Sequence, residues 1–179
     1  MNKSKPVSST WTSPDDGTVV KFTWLPGDNI SIYTPYTQCY GVCFNTEGKM
    51  LIQRVEDSDW CLSGGTVEEG ETAEQTLRRE MLEETDVTIK NIILLGGQEV
   101  SFPNGHNLHP KRGEGDLFYQ LRYYCELDEL LPQTPDPDKG KIHDRLFVDP
   151  AEITKYFDWG ATGAAIFAQA TALYNKLHP

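Results

Sequence analysis

The 179-residue sequence has few cysteines and histidines, and neither type is spaced as in a zinc finger. Its four cysteines form no Cys-x-x-Cys pair, and no histidine follows such a pair at ligand spacing. His106 and His109 form a His-x-x-His segment, which we interpret as a solvated loop rather than half of a metal site. A chain of this length buries about 70% of its unfolded surface, so its core needs no disulfides.

Positive charge and long apolar runs are also scarce. The chain has 16 Lys and Arg against 27 Asp and Glu, a net charge of −11 that repels phosphate backbones and anionic lipids. No apolar run approaches the roughly 20 residues of a membrane helix, and the N-terminus lacks the pattern of a signal or transit peptide. We therefore expect no nucleic-acid partner, no membrane partner and, with free thiols, a cytoplasmic location. A polyphosphate ligand then needs a local positive charge, most simply a divalent metal.

The polarity of the chain divides it into a flexible N-terminal arm, residues 1–17, and a single domain, residues 18–179. Helices are predicted over residues 73–85, from residue 149 and over residues 163–177. Alternating or short apolar runs predict strands over residues 18–24, 38–44, 49–54, 87–89, 92–95, 117–125 and 145–148. This order predicts an α/β fold in which helices flank a mixed sheet.

The helix at residues 73–85 carries an acidic face. Thr72 and Gln75 have the spacing of a capping box, which fixes where the helix begins. On a wheel of 100° per residue, three glutamates (Glu80, Glu83 and Glu84) share one face beside the apolar stripe, and Arg79 lies on the far side. Such like charges oppose the helix by about 0.2–0.5 kcal/mol per pair.

Clustered carboxylates are the ligands that Mg²⁺ and Mn²⁺ prefer, because these hard cations take oxygen donors. The carbonyl of Gly64, in the Gly-Gly turn before the helix, would add a further oxygen. The spacing of the carboxylates is equally typical of an ordinary solvated acidic helix. On this spacing alone, both interpretations stay open.

Residues 65–87 closely resemble the Nudix box, a pattern of glycine, glutamate and arginine at fixed spacing. The matching positions are Gly65, Glu71, Arg79, Glu80, Met81, Glu83, Glu84 and Val87. Six fixed matches at fixed spacing arise by chance about once in 10⁷ positions. The chain departs from the pattern at Asp86, where the family has glycine, and at Ser63, where proline is usual before the box.

The resemblance implies a Nudix-like α/β/α sandwich with a mixed central sheet and Mg²⁺ or Mn²⁺ as cofactor. It implies an ion pair between Glu71 and Arg79 that ties the acidic loop to the helix. It also implies a small nucleotide substrate and leaves a homodimer as one option for assembly. The metal ligands that it implies are Glu80, Glu83, Glu84 and the Gly64 carbonyl.

The activity implied is hydrolysis of a nucleoside diphosphate linked to another moiety, and a nucleoside triphosphate pyrophosphohydrolase is the favoured form. The alternatives are an ADP-ribose or nucleotide-sugar pyrophosphatase and a non-catalytic nucleotide sensor of the same fold. We expect the nucleotide base to bind against an aromatic side chain; Tyr40 is the favoured candidate, and Tyr36 and Phe102 are the others. We expect Lys111 and Arg112 to contact the phosphates.

Two departures from the family pattern affect the predicted site. Many family members have a late metal-binding glutamate that is missing here; Asp138, Asp144 or Glu114 could replace it, but for each of them we favour an ordinary solvated loop acid. Asp86 would occupy the left-handed position after the helix, where glycine is preferred, so Asp86→Gly is expected to raise the melting temperature by roughly 2–4 °C. The alternative is that Asp86 is a fourth acidic group of the metal site.

Overall fold

The computed structural model describes residues 6–105, 116–138 and 140–179, which form one mixed eight-stranded sheet with a helix on each face. The strands are β1 Val7–Thr12, β2 Val19–Pro26, β3 Tyr36–Phe44, β4 Met50–Arg54, β5 Gly64–Thr66, β6 Val87–Ser101, β7 Leu117–Leu130 and β8 Asp144–Val148. The helices are α1 Ala73–Thr85 and α2 Gly160–Leu177, and short 3-10 turns lie at Ile30–Ile32 and Pro150–Lys155. Across the sheet the order is β1-β2-β6-β7-β3-β4-β8, and β5 pairs with β3.

Strand β3 shows why the sheet is covered on both faces. It pairs parallel with β7 and antiparallel with β4 and β5, so the sheet is mixed. Its side chains alternate: Cys39 and Cys43 pack into the core beneath α1, whereas Val42 and Phe44 pack into the core beneath α2. The predicted α/β/α sandwich is confirmed.

Helix α2 supplies the second apolar layer. Ile166, Phe167 and Ala170 are buried against the sheet on the face opposite α1. Over the described part of the chain, no helix has both the length and the apolarity needed to cross a bilayer.

The N-terminal segment departs from its prediction as a flexible arm. Residues Val7–Thr12 form strand β1, which pairs antiparallel with β2 along its whole length. The Ser9 hydroxyl lies 2.7 Å from that of Thr162 and donates to the Trp159 carbonyl at 3.2 Å, which ties β1 to the start of α2. Sequence analysis missed this strand because backbone pairing and hydroxyl contacts, rather than an apolar pattern, hold it.

Strand β6 is one element where two short strands were predicted. The break expected at residues 90–91 is instead an irregularity within the strand, where Asn91 adopts a left-handed φ of 50°. Asparagine tolerates this conformation, so the bulge lets pairing with β7 continue to Ser101.

Candidate active site

Helix α1 begins and ends where the sequence predicts. The Gln75 amide donates to the Thr72 hydroxyl at 3.3 Å, and the Thr72 amide donates to the Gln75 side chain at 2.8 Å, so the capping box is present. Leu77 and Met81 are fully buried beneath the helix. This buried stripe sets the rotation of α1 and directs the glutamates toward the Gly-Gly turn.

Glu84 is the most firmly held of the three glutamates. Its side chain is buried, with 7% of the residue exposed, and Oε2 accepts hydrogen bonds from three donors. These are the Ser63 hydroxyl at 3.0 Å, the Gly64 amide at 3.0 Å and Nε2 of Gln53 at 3.2 Å. Ser63, which replaces the usual proline, is therefore a donor that positions this carboxylate.

Glu80 lies directly against the Gly-Gly turn. A Cβ atom at position 65 would overlap its carboxylate, so a side chain there would displace Glu80 from this position. Burial raises the pKa of Glu80 to about 7, and the negative charge of Glu84 adds to the effect, against the opposing charge of Arg79. The carboxylate of Glu80 is therefore held in a partly desolvated position beside a second carboxylate, where its charged form is disfavoured.

Arg79 reaches the acidic face, contrary to its placement on the helical wheel. Its Nε and Nη2 donate to the two carboxylate oxygens of Glu71 at 2.8 and 3.1 Å, and this pairing lowers the pKa of Glu71 to about 2. Its Nη1 donates to Glu80 at 2.9 Å and to Glu83 at 3.0 Å. The placement on the far side was wrong because Arg79 and Glu83 are an i,i+4 pair, which lies only about 40° apart on the wheel and therefore on one side of the helix. The ion pair between Glu71 and Arg79 is present.

The donor chemistry of the cluster fits a hard divalent cation. Three carboxylates and a glycine carbonyl are oxygen ligands, and a bound cation would favour the charged form of Glu80, which burial and the charge of Glu84 disfavour. Within the described residues, no three acidic, histidine or cysteine side chains converge as a metal cage. The side chains of Glu80 and Glu83 turn to Arg79 instead. Their role as metal ligands stays a prediction.

None of the three acids considered as substitutes for the late glutamate is shown to be a metal ligand by the described residues. Asp144 accepts from Nε of Arg54 at 2.9 Å in an exposed ion pair. The amide of Asp138 donates to Asp136 at 2.7 Å. Glu114 lies outside the described residues, as do the two cations expected to contact phosphate, Lys111 and Arg112.

Asp86 ends α1 in the left-handed conformation, with φ 49° and ψ 44°. Its carboxylate accepts from the Thr134 amide at 3.0 Å and from the Thr134 hydroxyl at 2.6 Å. These bonds tie the segment after β7 to the end of the helix. The structure therefore supports the structural interpretation of Asp86 over a metal-binding one.

A cavity of about 950 Å³ opens beside Glu84 and Gly64. Seven aromatic side chains line it: Trp11, Phe22, Tyr40, Trp60, Tyr156, Phe157 and Trp159. Of the three aromatic residues considered for base binding, Tyr40 lines this cavity, whereas Phe102 packs on Phe118 in a separate cluster and Tyr36 packs in the core beneath α1. The role of Tyr40 in base binding stays a prediction. The volume lies in the range of small-molecule pockets, about 300–1,000 Å³.

Arg122 is a cavity residue that sequence analysis missed. It is 3% exposed, and its guanidinium lies over the ring of Tyr40 at 4.4 Å and that of Trp159 at 5.5 Å. Burial lowers its pKa to about 10, so it stays protonated at neutral pH. The available signal was one arginine in the middle of an apolar strand, where unpaired charges are rare.

Comparisons with known proteins agree on one family. Residues 36–169 match the NUDIX domain. An RNA pyrophosphohydrolase from Bartonella clarridgeiae is 30% identical over 137 residues, which cover 66% of this chain and 79% of that protein. An NAD-capped RNA hydrolase, NudC, from Haemophilus influenzae is 52% identical over 99 residues. That match covers 51% of this chain but only 36% of NudC.

Solved structures with low sequence identity share the fold. The Bacillus subtilis pyrophosphohydrolase BsRppH matches with a TM-score of 0.61 and 16% identity, covering 90% of this chain and 94% of that one. A UDP-X diphosphatase matches with a TM-score of 0.53 and 18% identity, covering 79% and 64% of the two chains.

Proposed function

Because the chain belongs to the Nudix family of hydrolases, we propose that it is a divalent-metal-dependent pyrophosphohydrolase of nucleotides, with a nucleoside triphosphate as the favoured substrate. The observation that carries this proposal is the buried carboxylate of Glu84 in the lining of a cavity that also has aromatic faces. A nucleotide needs both features, because its metal-bound phosphates pair with carboxylates and its base stacks on aromatic rings.

The residues of the chain would hold the reacting diphosphate and its counter-ion. Glu80, Glu83, Glu84 and the Gly64 carbonyl are the proposed ligands of Mg²⁺ or Mn²⁺. When bound, such an ion neutralises phosphate charge and lowers the pKa of a bound water. Ser63 and Gln53 fix the Glu84 carboxylate, so its ligating oxygens need no rearrangement when substrate arrives. The general base is a carboxylate of this cluster or a glutamate outside the box.

Arg79 would hold the carboxylates of the acidic face in place before the metal ion binds. It spans the loop and the helix through Glu71 and also contacts Glu80 and Glu83. An arginine so placed reduces the repulsion between the carboxylates, and its contact with Glu71 holds the acidic loop against α1. Arg79 and Glu71 therefore act by positioning the ligands rather than by touching substrate.

A second candidate is hydrolysis at the 5′ end of an RNA, and the Bartonella relative favours it because the match spans most of that RNA pyrophosphohydrolase. The net charge of −11 disfavours contact with a long phosphate backbone, so we rank free nucleotides first. ADP-ribose or nucleotide-sugar hydrolysis and a non-catalytic sensor remain alternatives.

The deciding experiment is a substrate panel with Mg²⁺ or with EDTA. The panel contains nucleoside triphosphates, ADP-ribose, a UDP-sugar, NAD and oligonucleotides with a 5′-triphosphate or an NAD cap. Release of pyrophosphate and a nucleoside monophosphate supports the favoured substrate. Faster cleavage of the oligonucleotides supports the RNA alternative, and binding without turnover supports the sensor.

Two variants test whether any turnover belongs to the proposed site. Glu84→Gln should lose activity, because it removes a charged ligand. Glu74→Gln is the matched control, since Glu74 is an exposed residue of the same helix that pairs with Arg78. Equal loss in both variants would contradict the assignment of the site.

A further inference from the structure

Three glutamines form a row across the sheet inside the cavity. They are Gln38 on β3, Gln120 on β7 and Gln98 on β6, and the strand register places them side by side. Arg122 follows two residues after Gln120, so it lies on the same face of β7 and also lines the cavity. We call these four residues the glutamine–arginine floor.

The hydrogen bonds of the floor leave only donors for a ligand. Arginine has no acceptor, so the side-chain oxygens of Gln98 and Gln120 must face Arg122, and both accept from its Nη2. The Gln120 amide nitrogen therefore points to the oxygen of Gln38 and donates to it at 2.6 Å. This network occupies all three glutamine oxygens. It does not use the Nε2 groups of Gln38 and Gln98.

Arg122 itself is incompletely satisfied. Among the described residues, its buried Nε has no hydrogen-bond partner, and Nη1 has a long contact of 3.4 Å to the Leu121 carbonyl. Its other described neighbours are amide oxygens and aromatic faces rather than a carboxylate. A buried cation without a counter-charge is unfavourable, so an oxygen or ring-nitrogen acceptor from a ligand would be bound strongly here.

The distance from the floor to the acidic cluster matches the length of a nucleotide. Arg122 is the neighbour of Tyr40, and Tyr40 is the neighbour of Gly64, whose amide donates to Glu84. Two strand spacings separate Arg122 from Gly64, or about 10 Å. A ligand with its diphosphate at Glu84 would therefore bring its base to the floor.

We propose that the glutamine–arginine floor is a base-recognition subsite that selects 6-oxopurines, guanine or hypoxanthine, over adenine. The O6 and N7 atoms of a 6-oxopurine are acceptors that match a surface of donors, and arginine is well suited to this edge. Adenine carries an amino group at the same position, and its N–H groups would face the donors of the floor. The proposal rests on the proposed function in that it takes the ligand to be a nucleotide.

Binding of inosine and adenosine without metal tests this selection. The two nucleosides differ at the C6 substituent and its adjacent ring nitrogen, and EDTA removes any dependence on turnover. Inosine should bind at least about tenfold more tightly than adenosine in equilibrium titrations followed by tryptophan fluorescence. Equal affinities would overturn the proposal. Competition by inorganic phosphate equal to that by inosine would also overturn it, because the floor would then be an anion site.

The variant Gln98→Glu gives Arg122 a carboxylate and replaces a donor with an acceptor. The fold should be retained or stabilised, while the preference for inosine falls by at least about tenfold. Gln75→Glu is the matched charge control, since Gln75 is exposed and glutamate serves equally well in a capping box. An unchanged preference in Gln98→Glu would contradict the proposal.

The substrate panel separates a failure of this inference from a failure of the proposed function. Mg²⁺-dependent turnover of adenine and 6-oxopurine nucleotides at equal rates would overturn the base selection and leave the hydrolase proposal standing. Selective inosine binding without turnover of any nucleotide would support the base selection and overturn the hydrolase proposal.

Discussion

Replacing Asp86 with glycine tests whether contacts or backbone preference dominate at the end of α1. Glycine relieves the left-handed conformation and removes a negative charge from the negative end of the helix dipole. Together these changes stabilise the protein by roughly 0.5–1.5 kcal/mol. These are the only two effects that the sequence alone indicates, and they predict a higher melting temperature for Asp86→Gly.

The structure adds an opposing contribution. Asp86→Gly removes both hydrogen bonds from Thr134 to the carboxylate. Hydrogen bonds to charged groups contribute about 1.5–3 kcal/mol each, and because Thr134 is exposed, water recovers part of this, leaving about 2 kcal/mol for the pair. The balance is a loss of about 1 kcal/mol, which for a chain of this size lowers the melting temperature by roughly 2–4 °C.

Thermal melts of a small series of variants measure this balance. Asp86→Gly should melt below the wild type, and Asp86→Asn should lie between them because one side-chain oxygen still accepts from Thr134. Thr134→Val removes the hydroxyl donor alone, and its effect should vanish in the Asp86→Gly background. A melting temperature of Asp86→Gly above that of the wild type would refute the reasoning.

The same variant checks the alternative role of Asp86. Its carboxylate faces Thr134, so the Mg²⁺ concentration for half-maximal activity should be unchanged in Asp86→Gly. A large increase in that concentration would restore the interpretation of Asp86 as a metal ligand.

Three further predictions concern the metal and the pH. Glu80→Gln and Glu84→Gln should each abolish Mg²⁺-dependent hydrolysis while leaving the circular dichroism spectrum unchanged; activity within about twofold of wild type for both would exclude the proposed ligands. Millimolar Mg²⁺ should raise the melting temperature relative to EDTA, because it binds only the folded state, and identical melts would argue against a metal site. Burial alone would raise the pKa of Glu126, but hydrogen bonds from Tyr124, Asn91 and His178 outweigh it and lower the pKa. A lowered pKa of Glu126 stabilises the folded protein at pH values above the pKa of about 4.3 that the residue has in the unfolded chain. Tyr124→Phe removes one of these hydrogen bonds, so it should destabilise the protein at pH 7. The difference in the free energy of unfolding between Tyr124→Phe and wild type, measured by urea denaturation, should shrink as the pH is lowered. A difference that does not change with pH would contradict an effect through the pKa of Glu126.

The helix that carries the acidic face could be predicted in detail because the rules that fix it are local. A capping box sets its start, and the apolar stripe of Leu77 and Met81 sets its rotation. Both signals lie within one helix length, so neither depends on how the sheet is arranged. The error on this helix was the placement of Arg79, which stands four residues before Glu83 and therefore borders the acidic face.

The strands were harder to predict at their ends than at their centres. The pairing of β6 with β7 extends past the apolar residues of both strands, through positions that the sequence marks as polar. Pairing of this kind is stabilised by backbone hydrogen bonds, which leave no hydrophobic pattern to read. The same reason accounts for β1, which the sequence analysis placed in a flexible arm.

The glutamine–arginine floor could not be predicted from the sequence, because its members become neighbours only through the strand order. Gln38 and Gln120 are 82 positions apart in the chain, yet their side chains share a hydrogen bond. No periodicity predicts that β7 inserts between β6 and β3. The acidic face lies on one helix and could be predicted, whereas the residues that would select a base are distributed over three strands. A sequence that contains the box can therefore reveal the hydrolytic chemistry while leaving the choice of nucleotide to be found in the structure.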